Sequence, residues 1–212
     1  MRDTMKRIFL LRHGSTEANE KALYCGVSDI PLSENGVRVL AEKSEKYKKL
    51  VSDKCFYFTS GMKRCEQTLQ ILFGSDGKEV VHTVDTGFAE INFGIFEMKS
   101  YEELKENAEY LQWITGDNFS NPIPCGESGT EMTERVLSSF EKLNAFALES
   151  DGDCVLVCHG GVIAAIMNHL FLDEHKNRYD WQPHAGCGYI LTRTDYSSDF
   201  NQNPVWKYEE LN

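Results

Sequence analysis

The chain is short of positive charge. Its 212 residues carry 22 Lys+Arg against 33 Asp+Glu, a formal net charge of -11. Such a surface repels a nucleic-acid backbone and an anionic membrane, so neither is expected as a partner. It repels a small phosphorylated metabolite as well, unless arginine and histidine are gathered in one place. Long apolar runs are also lacking, and none approaches the roughly 20 residues a membrane span needs. The seven cysteines (Cys25, Cys55, Cys65, Cys125, Cys154, Cys158 and Cys187) include no CxxC and no zinc-type spacing. Neither HExxH nor an Asp-rich metal loop occurs, so no metal site is expected. The odd thiol count and the lack of a signal-peptide pattern point to reduced thiols and a cytoplasmic location. No repeat, low-complexity tract or linker-like shift in composition divides the chain, so one domain over residues 1–212 is expected.

What is present is an alternation of apolar runs and helical patterns. Ile8 to Leu11 is continuously apolar, as in a strand buried on both faces. A helix is expected from Ser33 or Glu34 to Val51, with Val37, Leu40, Tyr47 and Leu50 as its apolar positions. Cys55 to Phe58 reads as a second strand, Met62 to Phe73 as a helix stopped by Gly74, and Glu79 to Val84 as a third strand. Ser100 to Ile114 reads as one or two short helices and Asn121 to Gly126 as a loop. Ser128-Gly129-Thr130-Glu131 has the form of a capping box and opens a helix to about Leu148. Cys154 to Cys158 is another buried strand, followed by a helix through Phe171. Gly188 to Arg193 and Val205 to Glu209 read as a closing pair of strands, a hairpin. This alternation predicts an α/β fold with a mostly parallel sheet covered on both faces.

Two of the strands end in the same device. Leu11-Arg12-His13-Gly14 and Cys158-His159-Gly160-Gly161 both place His-Gly directly after an apolar run. Ligands of open parallel sheets sit outside the carboxyl ends of strands, so two such histidines can converge on one pocket. The glycines allow close backbone approach and offer N–H groups to an anion. Either histidine alone reads equally well as a satisfied buried residue at a turn; the pair, one of them beside an arginine, does not. Arg64 falls in the first turn after the second strand, where its fork can reach the same pocket and bind a phosphate bidentately. Alone it would read as a solvated arginine. Glu90, in Phe88-Ala89-Glu90-Ile91-Asn92-Phe93-Gly94, has apolar neighbours that favour the protonated carboxyl a general acid needs. Without the other pieces it would read as a surface glutamate.

Together these residues resemble the histidine phosphatase, or phosphoglycerate-mutase-like, superfamily. Leu11 to Thr16 with Asn19 is similar to its phosphohistidine signature, and Tyr24-x-Gly26-x-x-Asp29-Ile30-Pro31-Leu32-Ser33-x-x-Gly36 to its next block. Ser60-x-x-x-Arg64-x-x-Gln67-Thr68 is similar to the second-arginine block, and Glu90-Ile91-Asn92-Phe93-Gly94-x-Phe96-Glu97 to the acid/base block. Pro124-x-Gly126-Glu127-Ser128 with Arg135, and Cys158 to Ile163, complete the series in order. Met98, Gly61 and Cys65 stand where glycine, proline and alanine are common, which alters the shape of the pocket rather than its presumed chemistry.

The resemblance implies a three-layer α/β/α sandwich and a phosphatase acting on a small phosphomonoester without a cofactor. It implies His13 as the nucleophile and Glu90 as acid and then base. Arg12, Arg64 and His159 would hold the phosphoryl oxygens, with Asn19 and backbone N–H groups such as that of Gly160. The Trp113 and Pro124-x-Gly126 region is most similar to α-ribazole-phosphatase-like proteins. Two alternatives stay open on sequence alone: a phosphoglycerate mutase with the same site, and a non-catalytic phosphate-binding protein on the same fold. The lid over the pocket is expected from residues 91–125, with Tyr101, Tyr110, Trp113 and Phe119 as candidates to line it or to pack within it. His82, His169, His175 and His184 receive no role, and the oligomeric state, a dimer among the options, is not legible.

Overall fold

The computed structural model describes residues 6–75, 77–193 and 205–212. Its sheet has six strands: β1 (Lys6–Arg12), β2 (Cys55–Thr59), β3 (His82–Val84), β4 (Asp153–Cys158), β5 (Gly188–Arg193) and β6 (Trp206–Leu211). Their spatial order is β3-β2-β4-β1-β5-β6. The first four strands in that order are mutually parallel, β5 runs antiparallel to β1, and β6 antiparallel to β5. The expected antiparallel closing pair is therefore present; the residues joining it lie outside those described.

The period of two along β1 assigns its side chains to two layers. Ile8 and Leu10 point into a core built with Met132, Val136, Phe140, Val162 and Ile166. Those residues come from α6 (Gly129–Glu149) and α7 (Gly160–Leu170). Phe9 and Leu11 point the other way, into a core with Leu40, Tyr47, Leu69 and Leu72. These belong to α2 (Glu34–Leu50) and α3 (Lys63–Phe73). The fully apolar run in the sequence thus follows from burial on both faces, and the α/β/α sandwich is as expected. A third, smaller cluster of Phe96, Leu104, Tyr110 and Ile123 forms under the segment that contains α4 (Tyr101–Leu104) and α5 (Ala108–Thr115).

Two local expectations need correction. Glu79 to Val84 is not all strand: Lys78 O and Val80 N are taken by the Gln70 side chain at 2.8 and 3.0 Å, so only His82–Val84 joins the sheet edge. Val37 is 41% exposed, because the inward stripe of α2 runs through Gly36, Leu40 and Tyr47. Gly36 packs so closely that a Cβ there would sit 2.1 Å from Ser15 O. Gly74 ends α3 as expected, at φ -64. Glycine is needed there because a Cβ would meet Gln70 at 2.3 Å. Among the described residues no helix is long and apolar enough to cross a membrane.

Candidate active site

Register brings the motifs together. Arg12 pairs with Cys158 across the β1–β4 ladder, and Thr59 with Val157 across β2–β4. The residues that follow, His13, His159 and Ser60, therefore emerge side by side at one sheet edge. The ladder continues one step further, with His13 N donating to Cys158 O at 3.0 Å. The two imidazoles lie 5.2 Å apart, centroid to centroid, at 65°.

The hydrogen bonds fix both tautomers. Nδ1 of His13 is 2.7 Å from the Gly14 carbonyl. A carbonyl only accepts, so Nδ1 carries the proton and Nε2 the lone pair. His159 is the reverse: its Nδ1 accepts from Arg64 Nε at 3.3 Å, so Nε2 donates to Ser60 Oγ at 2.9 Å. Both rings are held neutral. Burial, reinforced by Arg64 and then Arg12 against the opposing Gly14 carbonyl, pushes His13 down from 6.5 to about 3. Burial first, then His13 and Arg64, pushes His159 well below the usual histidine range.

Arg12 and Glu90 face a common space. Arg12 Nη1 donates to Pro183 O at 2.8 Å, while its buried Nε finds no acceptor among the described residues. Glu90 Oε2 accepts from Gly161 N at 3.0 Å and Oε1 from its neighbour Ile91 N at 3.0 Å. Both glycines at the start of α7 are close-approach positions. A Cβ on Gly161 would lie 2.4 Å from Glu90 Oε1, and one on Gly160 3.3 Å from the Arg12 guanidinium carbon. The backbone that carries Glu90 is clamped by Arg135, which donates to Gly87 O, Ala89 O and Glu90 O and holds Glu127 through two N–H···O contacts.

Arg64 departs from expectation. It is 1% exposed, and its fork does not reach openly into the pocket. Nη1 donates to Ser28 O at 2.8 Å and Nη2 to Gly26 O at 2.7 Å, which leaves one N–H on each nitrogen. The reason lies in Glu97. Its carboxylate accepts from Gly26 N, Val27 N, Ser28 N, Ser28 Oγ and Phe93 N, so the loop 26–28 turns its N–H groups to Glu97 and its carbonyls to Arg64. Asn19 also has a second duty. It belongs to α1 (Glu17–Glu20), where its Oδ1 accepts from Thr16 N in a capping box, and it lines the pocket beside Arg12. Glu97 and Arg135 stood inside recognised sequence blocks, but nothing local gave either residue a task.

The pocket is a cavity of about 550 Å³. Arg12, Asn19, Glu90 and Gly161 line it, with Tyr24, Phe93 and Trp113 among its ring-bearing residues. His13, Arg64 and His159 are buried and do not line it. Of the lid candidates, Trp113 lines the cavity, Tyr110 is buried in the small core, Tyr101 is 55% exposed, and Phe119 borders a neighbouring cavity. Tyr24 and Phe93 were not foreseen as lining residues. All seven cysteines are free thiols. Among the described residues no group of His, Cys, Asp or Glu is arranged to hold a metal ion.

A mostly parallel sheet whose strand ends carry two neutral histidines and an arginine, met there by Arg64 of α3 and the Glu90 carboxyl, defines a phosphoryl-handling protein of the phosphoglycerate-mutase-like kind. The chain belongs to the histidine phosphatase superfamily (branch 1), whose family model matches residues 8–202. It is 28% identical to the adenosylcobalamin/alpha-ribazole phosphatase of Salmonella typhimurium, over 96% of this chain and 100% of that protein. The fold is also that of the alpha-ribazole phosphatase from Shigella flexneri (TM-score 0.74, 21% identity, 97% of this chain and 96% of that one). A phosphoglycerate mutase from Thermus thermophilus shares it as well (TM-score 0.65, 21% identity, 97% and 98%).

Proposed function

We propose that this chain hydrolyses small phosphomonoesters through a phosphohistidine on His13. The observation that carries the reading is the His13–Gly14 contact, which leaves Nε2 with its lone pair among two arginines. In the first step Nε2 attacks phosphorus, the P–O ester bond breaks, and the Glu90 carboxyl gives its proton to the departing oxygen. In the second, the Glu90 carboxylate takes a proton from water, the water oxygen attacks phosphorus, and the P–N bond breaks to release inorganic phosphate and neutral His13. The orphaned Arg12 Nε–H, the remaining Arg64 N–H groups, the Asn19 amide and the Gly160 N–H serve the non-bridging oxygens. His159 completes that cradle. For that it takes its other tautomer: Nε2 accepts from Ser60 Oγ, and Nδ1 leaves Arg64 Nε and donates to a phosphoryl oxygen. The rate comes from fixed dipoles and charges aimed at the transition state.

The substrate's organic part lies against Tyr24, Phe93 and Trp113. α-Ribazole 5′-phosphate is one candidate, supported by the names of the relatives. Quenching the protein in alkaline denaturant, where a phosphohistidine survives, after mixing with a ³²P-labelled phosphomonoester tests the reading: label on a histidine is expected, and His13→Ala should abolish both label and turnover. Activity above about a few per cent in that variant would remove His13 from its role. Return of the label to a second hydroxyl of 3-phosphoglycerate, in place of water, would make the protein a mutase; no label and no turnover would make it a phosphate-binding protein.

A further inference from the structure

We infer that the cavity takes a phosphomonoester carrying a second anionic group, and that Arg178 is the residue that selects it. The inference rests on the phosphatase reading and narrows its substrate class. Arg178 opens a short helical turn, Arg178–Trp181, and lines the same cavity as Arg12 and Glu90. Its guanidinium carbon lies 4.5 Å over the Phe119 ring and 5.6 Å over the Tyr179 ring. A Cβ on Gly129 would sit 3.1 Å from Arg178 Nη1 and 2.5 Å from the Phe119 ring, so the glycine that opens α6 leaves the space for this contact. These cation–π contacts seat the guanidinium without using its N–H groups, which stay available to bind something else.

Among the described residues, no ion pair and no hydrogen bond takes up those N–H groups. Arg7, Arg38 and Arg135 each hold a carboxylate instead. An arginine without an acid partner is notable in a chain with 33 acidic side chains against 22 basic ones. The charged residues that line the cavity are Arg12, Glu90 and Arg178. A phosphate dianion answers Arg12 and Arg64, and the acid step needs Glu90 protonated. Arg178 is then left without a counter-charge, which a carboxylate or a second phosphoryl group on the substrate supplies. A phosphomonoester with no second negative group, α-ribazole 5′-phosphate included, leaves Arg178 unpaired.

The test compares two series of alkyl phosphates of matched chain length, one ending in carboxylate and one in hydroxymethyl. In the native protein kcat/KM should favour the carboxylate series by about tenfold or more at one chain length. Arg178→Gln should cut that preference by a similar factor, and Arg178→Lys should restore part of it. The readout is a ratio, so losses common to both series cancel. No preference at any length, or a preference untouched by Arg178→Gln, overturns the inference while leaving the phosphatase reading intact. Failure of the native protein to hydrolyse either series or p-nitrophenyl phosphate overturns both.

Discussion

Replacing His13 by asparagine should flatten the acid sensitivity of the fold. In the folded chain His13 sits at about 3, against 6.5 for an ordinary histidine. As pH falls below 6.5 the unfolded chain takes up a proton at this residue and the folded chain does not. A depressed pKa therefore contributes stability that is complete above 6.5 and is lost progressively as pH falls toward 3. Between pH 7 and pH 5 the loss from this one group is about 2 kcal/mol, from RT times the logarithm of the ratio of proton-binding factors. Asparagine fills part of the same space, can donate its amide to Gly14 O, and does not titrate. The variant will differ from the native chain by a constant packing term, which the experiment ignores. What matters is the gap in unfolding free energy between the two, measured by urea titration at pH 7, 6 and 5. Contributions from the carboxylates occur in both chains and largely cancel, and that of His159 persists in both because burial, not His13, is the first cause of its shift. The native chain should lose about 2 kcal/mol more than His13→Asn over that interval. Parallel curves would show that His13 titrates alike in folded and unfolded chains, and would remove the physical basis for a neutral nucleophile.

Two further outcomes follow from the same geometry. Glu97→Gln removes the carboxylate that gathers the N–H groups of residues 26–28, and with it the carbonyl seats of Arg64. It should lower stability by about 1–3 kcal/mol and kcat for p-nitrophenyl phosphate by at least about tenfold; a melt and a rate unchanged from the native protein would refute that chain of support. Glu90→Gln keeps only one of the Gly161 and Ile91 contacts, because its amide nitrogen cannot accept from an N–H, and it supplies no proton. It should slow alkyl phosphates by about 10² to 10⁴ and p-nitrophenyl phosphate far less, and equal slowing would argue against Glu90 as the acid.

The strand ends were legible because their signal is local. An apolar run followed by His-Gly states both the strand and the residue that leaves it, and β1 and β4 were placed from that alone. Their adjacency was not legible, since it rests on register between segments far apart in the chain. The same distance hides the supporting residues. Glu97 reaches Gly26 across 71 positions and Arg135 reaches Glu90 O across 45, so neither has a sequence-local partner. Arg64 lies against His159, but it is not a free fork, because its carbonyl partners exist only once Glu97 has turned the loop 26–28. The edge strand β3 is shorter than its pattern suggests for a related reason: a side chain, Gln70, competes for the backbone groups that a propensity argument assigns to the sheet.

The choice of carbonyl partners also answers the charge problem posed by the composition. Where arginine has a structural task, as in Arg7 with Asp153 or Arg135 with Glu127, a carboxylate meets it and the positive charge is cancelled. At the candidate site Arg12 is held by Pro183 O, and Arg64 by Gly26 O and Ser28 O. A carbonyl orients a guanidinium without neutralising it. The two imidazoles are kept neutral by burial first and by the same arginines after it, so the positive charge stays on the guanidinium groups. A chain of net charge -11 can in this way hold a local positive field for a dianion. Its strength depends on keeping hydrogen-bonded carboxylates off those arginines rather than on adding cations.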